Sequence, residues 1–93
     1  MDSANNLPYV ALGLTSEVGE VADKIKKWIR DNNADTAKLD KEAIANELGD
    51  VLWYTALMAH LLGISLDDVA KRNIDKLAGR YKRSAIKDSG DNR

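Results

Sequence analysis

The chain has no cysteine, one histidine, one proline and no long apolar run. Without cysteine there is no disulfide framework, which fits a reducing compartment such as the cytoplasm. With His60 as the only imidazole, a zinc centre rich in nitrogen or sulfur lacks its donors. No stretch is long and apolar enough to span a bilayer. The first residues also lack the basic flank and apolar run of a secretory signal. Neither sign of charge dominates: 14 basic residues stand against 15 acidic ones, a net charge of −1. That balance argues for neither a nucleic acid nor an anionic membrane as partner. The expectation is a cytoplasmic protein with neither.

What is present reads as helix. The 93 residues allow one domain, expected over residues 1–84, with a polar, flexible tail over 85–93. A chain this size hides only about 60 to 65% of its extended surface when folded alone, so oligomerisation would help it. The first helix is predicted to start near Asn5 or Asn6 as cap, to hold Pro8 in its first turn and to run to about Arg30. Its buried stripe is Leu7, Leu14, Val18, Val21 and Ile25. Residues 31–38 are a polar connection. Asp40 caps the second helix, with Leu39 and Ile44 as a hydrophobic staple, and Gly63 ends it. Ser65 and Asp68 suggest a capping box for a third helix from Leu66 to about Arg83, with Leu66, Ala70, Ile74, Leu77 and Tyr81 as its stripe.

Beyond Asp50 the second helix is apolar on nearly every side, more than one three-helix hairpin can cover. The fold class is therefore all-α: a three-helix protomer that completes a four-helix-bundle-type core by dimerisation, as a homodimer or homotetramer. His60 reads as an interface residue, since no acid stands at the Glu-x-x-His spacing of a di-iron bundle. Trp28 and Trp53 read as packing residues.

Two short acidic repeats stand out, Glu17-Val18-Gly19-Glu20 and Glu47-Leu48-Gly49-Asp50. Each places two carboxylates one turn apart on one helical face. On a wheel, both pairs lie about 80° and about 140° from the centre of their helix's apolar stripe, with the same hand. If the two helices pack antiparallel, four carboxylates converge on one groove, where their repulsion calls for a counter-charge. Oxygen-only donors favour magnesium, manganese or calcium over zinc. Gly19 and Gly49 sit at equivalent places in the repeats, where close approach of a neighbouring backbone is expected.

In context, Leu14-Thr15-Ser16-Glu17-Val18-Gly19-Glu20-Val21-Ala22-Asp23 followed by Glu47-Leu48-Gly49-Asp50-Val51-Leu52-Trp53-Tyr54 resembles the MazG-like all-α nucleoside triphosphate pyrophosphohydrolases. Their signature is Glu-x-x-Glu, then Glu-x-x-Asp on the next helix, and the resemblance runs from about Leu7 to Arg83. It implies that Glu17, Glu20, Glu47 and Asp50 hold Mg2+, with Mn2+ a possible substitute. It further implies cleavage of a nucleoside triphosphate to the monophosphate and pyrophosphate, with Glu17 or Glu47 taking a proton from the attacking water.

On the third helix, Asn73, Lys76, Arg80 and Arg83 form a ridge that reads either as a comb for phosphate oxygens or as a solvated basic face. The resemblance favours the first reading for Asn73, Lys76 and Arg80. Lys24 follows Glu20 by one turn, where both a substrate phosphate and an ion pair with Glu20 are open. Tyr54 follows Asp50 by one turn, with substrate contact and interface packing equally open. Relatives commonly carry a further helical stretch before the first acidic motif, so base selectivity stays open, and a house-cleaning role on the nucleotide pool rests on the resemblance. Two alternatives stand beside it: a narrower relative acting on dUTP, dCTP or phosphoribosyl-ATP, and a non-catalytic helical assembly module.

Overall fold

The computed structural model describes residues 3–90, and side chains over residues 6–85. It is all-α: α1 spans Ser3–Asn32, α2 Lys41–Leu61 and α3 Leu66–Gly90, with one turn of 3-10 helix at Thr36–Lys38. Among the described residues there is no strand.

Polar side chains at the element ends fix the boundaries. Asp40 Oδ1 accepts from the Ala43 N–H at 3.0 Å, the expected cap of α2. Gly63, at φ 79°, closes the other end. Its N–H donates to the His60 carbonyl at 3.0 Å and the Ile64 N–H to the Ala59 carbonyl at 3.0 Å, the paired bonds of a Schellman stop. Ser65 Oγ accepts from the Asp68 N–H at 3.0 Å and so starts α3. The Asp68 carboxylate, expected to complete a capping box, instead pairs with Arg72 Nε at 2.8 Å, one turn along its own helix. Between α1 and α2, Asp35 caps the 3-10 turn by accepting from Ala37 N at 3.0 Å. The Trp28 indole N–H donates to the Asp35 carbonyl at 2.7 Å and ties that turn down.

Three expectations change. α1 begins at Ser3, so Asn6 lies inside it rather than capping it, and Pro8 stands in the second turn; the Asn5 side chain falls outside those described. α3 runs on to Gly90 rather than ending near Arg83, because no proline or glycine interrupts residues 80–89. A Cβ built on Gly19 or Gly49 would meet nothing within 4 Å, so among the described residues no neighbouring backbone approaches either.

α1 and α2 pack along their lengths as an antiparallel hairpin, whereas α3 touches α2 and turns away from it by 99°. The result is an open L with extents of 48 × 46 × 18 Å and a radius of gyration of 18.6 Å, against about 12 Å for a compact chain of this length. Among the described residues, only Val10, 4% exposed, and Ala59, 3% exposed, are buried. Beyond its first turn the predicted stripe of α3 is exposed: Ile74 is 64% exposed, Leu77 50% and Tyr81 79%. The protein exposes 7286 Å2, roughly 2,000 Å2 more than the about 5,300 Å2 of a compact chain of 10.2 kDa.

The hairpin helices are rolled relative to their apolar stripes. Val10, the buried residue of α1, lies about 50° from the stripe centre on the side of Glu17. Val18 lies about 30° to the other side and is 51% exposed. Leu48 occupies the matching place on α2 and is 54% exposed. α1 thus turns its acidic flank inward and leaves the far edge of its stripe uncovered. Beside the cluster α2 does the same at Leu48, while Ala59, near the end of α2, is buried about 50° to that far side. No single helix among the described residues is long and apolar enough to cross a membrane.

Candidate metal and nucleotide site

The inward roll brings acids from both helices together. Glu17 of α1 and Glu47 and Asp50 of α2 each offer a carboxylate oxygen, all within 4.8 Å of one another. Glu17 and Glu47 are half-buried and Asp50 is exposed at the rim. Glu20, one turn further along α1, is exposed and lies outside this set, so three of the four expected acids meet. Partial burial in the hairpin, reinforced by the charges of Asp50, Glu47 and Glu20, pushes the Glu17 carboxyl above its ordinary 4.5.

One cation answers the cluster from within the chain. Lys24 Nζ stands 3.6 Å from Glu47 Oε1, bridging α1 to α2 rather than pairing along its own helix. Further along α1, Asp23 holds Lys27 at 2.8 Å and Lys26 at 3.4 Å, and these bonds keep its carboxyl below the usual range. Those pairs engage Lys26 and Lys27, and Arg30 pairs with Asp31 at 2.7 Å.

A set of three hard oxygen donors from two helices, with no imidazole or thiolate among them, fits an alkaline-earth or manganese ion. Beside it a cleft of about 320 Å3 is lined by Tyr9, Leu12, Gly13, Ser16, Glu17 and Tyr54, so Tyr54 and an acid of the cluster share one cavity. Tyr54 also meets Trp53 edge to face, ring centroids 5.1 Å apart. His60 is exposed in the last turn of α2.

The α3 ridge is not part of this constellation within one chain. Asp50 lies about 16 Å before the end of α2, and Asn73, Lys76 and Arg80 lie about 10 to 21 Å out along α3. With the axes at 99°, the separation is roughly 20 to 27 Å, beyond the reach of any side chain. All three residues are exposed. Gly13 is the residue at this site that wheel reasoning passed over; its only signal in the sequence is a helix-interior glycine one turn before Glu17.

The chain is 44% identical over 92 residues to the Gene 37 protein of Mycobacterium phage L5, covering 99% of the chain and 81% of the phage protein. It is 30% identical over 81 residues to the uncharacterized protein YvdC of Bacillus subtilis (strain 168), covering 81% of the chain and 76% of that protein. No solved structure matches. The profile of the MazG nucleotide pyrophosphohydrolase domain matches residues 7–84, a span that contains both acidic repeats and the ridge of α3, and the chain belongs to that family.

Proposed function

We propose that the protein is a Mg2+-dependent nucleoside triphosphate pyrophosphohydrolase that converts a (d)NTP to the monophosphate and pyrophosphate, acting on the cytoplasmic nucleotide pool in a house-cleaning role. The observation that carries this reading is the meeting of Glu17, Glu47 and Asp50 oxygens within 4.8 Å across the α1–α2 hairpin. Glu20 joins the ligand set by a change of rotamer on an exposed side chain. A bound divalent cation supplies charge neutralisation at the phosphates and lowers the pKa of a bound water.

The chain's own residues do the rest. Glu17, Glu20, Glu47 and Asp50 fix the position of the triphosphate relative to the hairpin. Water attacks the α-phosphorus, the bond from that phosphorus to the bridging oxygen breaks, and pyrophosphate leaves with the electron pair. Glu17 or Glu47, through an oxygen free of the ion, accepts the proton of the water. Lys24, already at the rim of the cluster, is placed to exchange Glu47 for a phosphate oxygen. Tyr54 lines the cleft beside Glu17 and contacts the nucleoside end.

Asn73, Lys76 and Arg80 serve the site of another subunit, where their amide and cations offset charge on the departing pyrophosphate. The uncovered faces of α2 and α3 support a homodimer or a tetramer of such pairs. Two protomers with roughly 2,000 Å2 of excess surface each fall in the range of obligate interfaces, about 2,000 to 5,000 Å2 in total.

The test is a panel of ribo- and deoxyribonucleoside triphosphates with MgCl2, assayed for pyrophosphate and monophosphate. Release is expected from the wild type and is lost in Glu47→Gln with helical circular dichroism unchanged. Failure to cleave any triphosphate, or a fully active Glu47→Gln, refutes the proposal.

A further inference from the structure

Gly13 is the one described glycine whose missing side chain faces a neighbouring helix. A Cβ built there would stand 2.8 Å from Tyr54 Cζ and 3.0 Å from Cδ1, with Cε1 closer still. Contacts under 3.0 Å are not tolerated between carbons, so any side chain at residue 13 displaces the ring. The ring also meets Trp53 edge to face. Tyr54 is thus a panel set against the bare backbone of α1.

The panel divides two clefts. One, of about 320 Å3, runs past Tyr9, Leu12, Ser16 and Glu17; the other, of about 200 Å3, is lined by Val10, Trp53, Leu57 and Leu61 among others. Tyr9 and Tyr54 border both. The first opens beside the acidic cluster through Glu17 and combines two phenol rings, one aliphatic side chain and the Ser16 hydroxyl, a lining for a flat, partly polar group rather than for a phosphate. Its volume lies at the small end for ligand pockets.

We propose that Gly13 is a positioning residue: by leaving room for the Tyr54 ring against α1 it sets the shape of the cleft beside Glu17, which takes the nucleoside end of the triphosphate. This rests on the pyrophosphohydrolase reading above. The phosphates are held at the cluster and by the lysine and arginine side chains, so a displaced ring weakens ground-state and transition-state binding alike and leaves the chemical step intact.

Steady-state kinetics on wild type, Gly13→Ala, Tyr54→Ala and the double variant test it. Gly13→Ala should raise KM about tenfold with kcat within about twofold, the pattern of lost uniform binding. Alanine favours helix over glycine, so the helical signal is kept. Tyr54→Ala, which removes the panel without touching α1, should raise KM as well. In that background Gly13→Ala should change nothing further, since no ring remains to be displaced. An unchanged KM in Gly13→Ala, or an equal rise with the ring already absent, overturns the inference while an active wild type leaves the function standing. A wild type that cleaves no triphosphate overturns both. If Gly13→Ala fails to fold, the Tyr54→Ala KM decides alone: unchanged, it removes the panel from binding.

Discussion

Two crippled chains mixed together report where the α3 ridge acts. One carries Glu47→Gln, which takes a carboxylate from the cluster and leaves α3 intact. The other carries Lys76→Ala with Arg80→Ala, which strips α3 and leaves the acids. Roughly 20 to 27 Å separates ridge and cluster within a chain, so on the proposed function a complete site would take acids from one subunit and cations from another. Each crippled chain alone should retain less than about 1% of wild-type turnover, since one lost charge-stabilising group costs about a hundredfold or more. After co-refolding in equal amounts, about half of the pairs are mixed and each mixed pair holds one complete site of two, so about a quarter of wild-type activity should return. Pyrophosphate release is the assay, with sedimentation to establish the size of the active species. A mixture no better than its components, an alanine variant active by itself, or an active monomer would refute the shared site.

Two further outcomes follow from the geometry. Ala34 sits at φ 56°, where a Cβ costs about 1 to 2 kcal/mol; set against the about 0.4 to 1 kcal/mol that glycine loses through the unfolded chain, Ala34→Gly should stabilise by about 0.5 to 1 kcal/mol. Melting temperature should rise by about 3 to 6 °C, and no rise or a fall would show that residue 34 carries no strain. The pH dependence follows from Glu17, whose folded-state pKa is raised above 4.5: its contribution to stability is full below that value and is lost as pH climbs through the raised one. The cation-free protein should therefore weaken over that window while added MgCl2, which needs ionised carboxylates, begins to stabilise it. Thermal melts with MgCl2 and with chelator check this, and an equal magnesium effect at about pH 4 and about pH 7 would contradict it.

The boundaries of the helices were largely legible because each rests on a local rule. Asp40, Gly63 and Ser65 carry their capping chemistry in their own side chains or backbone, and the structure uses all three. The acidic repeats were legible as matching flanks, and three of their four carboxylates meet. The roll of the hairpin was not. A wheel centred on apolar residues assumes that the stripe's centre faces its partner, whereas Val10 and not Val18 is buried. The far edge of the stripe, at Val18 and Leu48, is left exposed, and nothing in helix periodicity marks which edge of a stripe stays uncovered. The direction of α3 was illegible for the same reason, since Ile74, Leu77 and Tyr81 mark a face without naming what lies on it. Gly13 escaped notice because helix periodicity scores side chains, and its role is the absence of one.

The roll also links stability to chemistry. A hairpin that buried its stripes centrally would hide Val18 and Leu48 and swing Glu17 and Glu47 outward, separating the cluster. Turning the acidic flanks inward gathers the carboxylates, at the cost of like-charge repulsion and of apolar surface left to water. With Val10 and Ala59 alone fully buried among the described residues, the chain hides little apolar surface to set against the entropy of ordering it. On the proposed reading, the uncovered apolar face would drive association with a second copy, and the gathered carboxylates would draw a cation. In this arrangement the forces that complete the fold are the ones that complete the site, so a variant that blocks association should lose activity even with every acid in place.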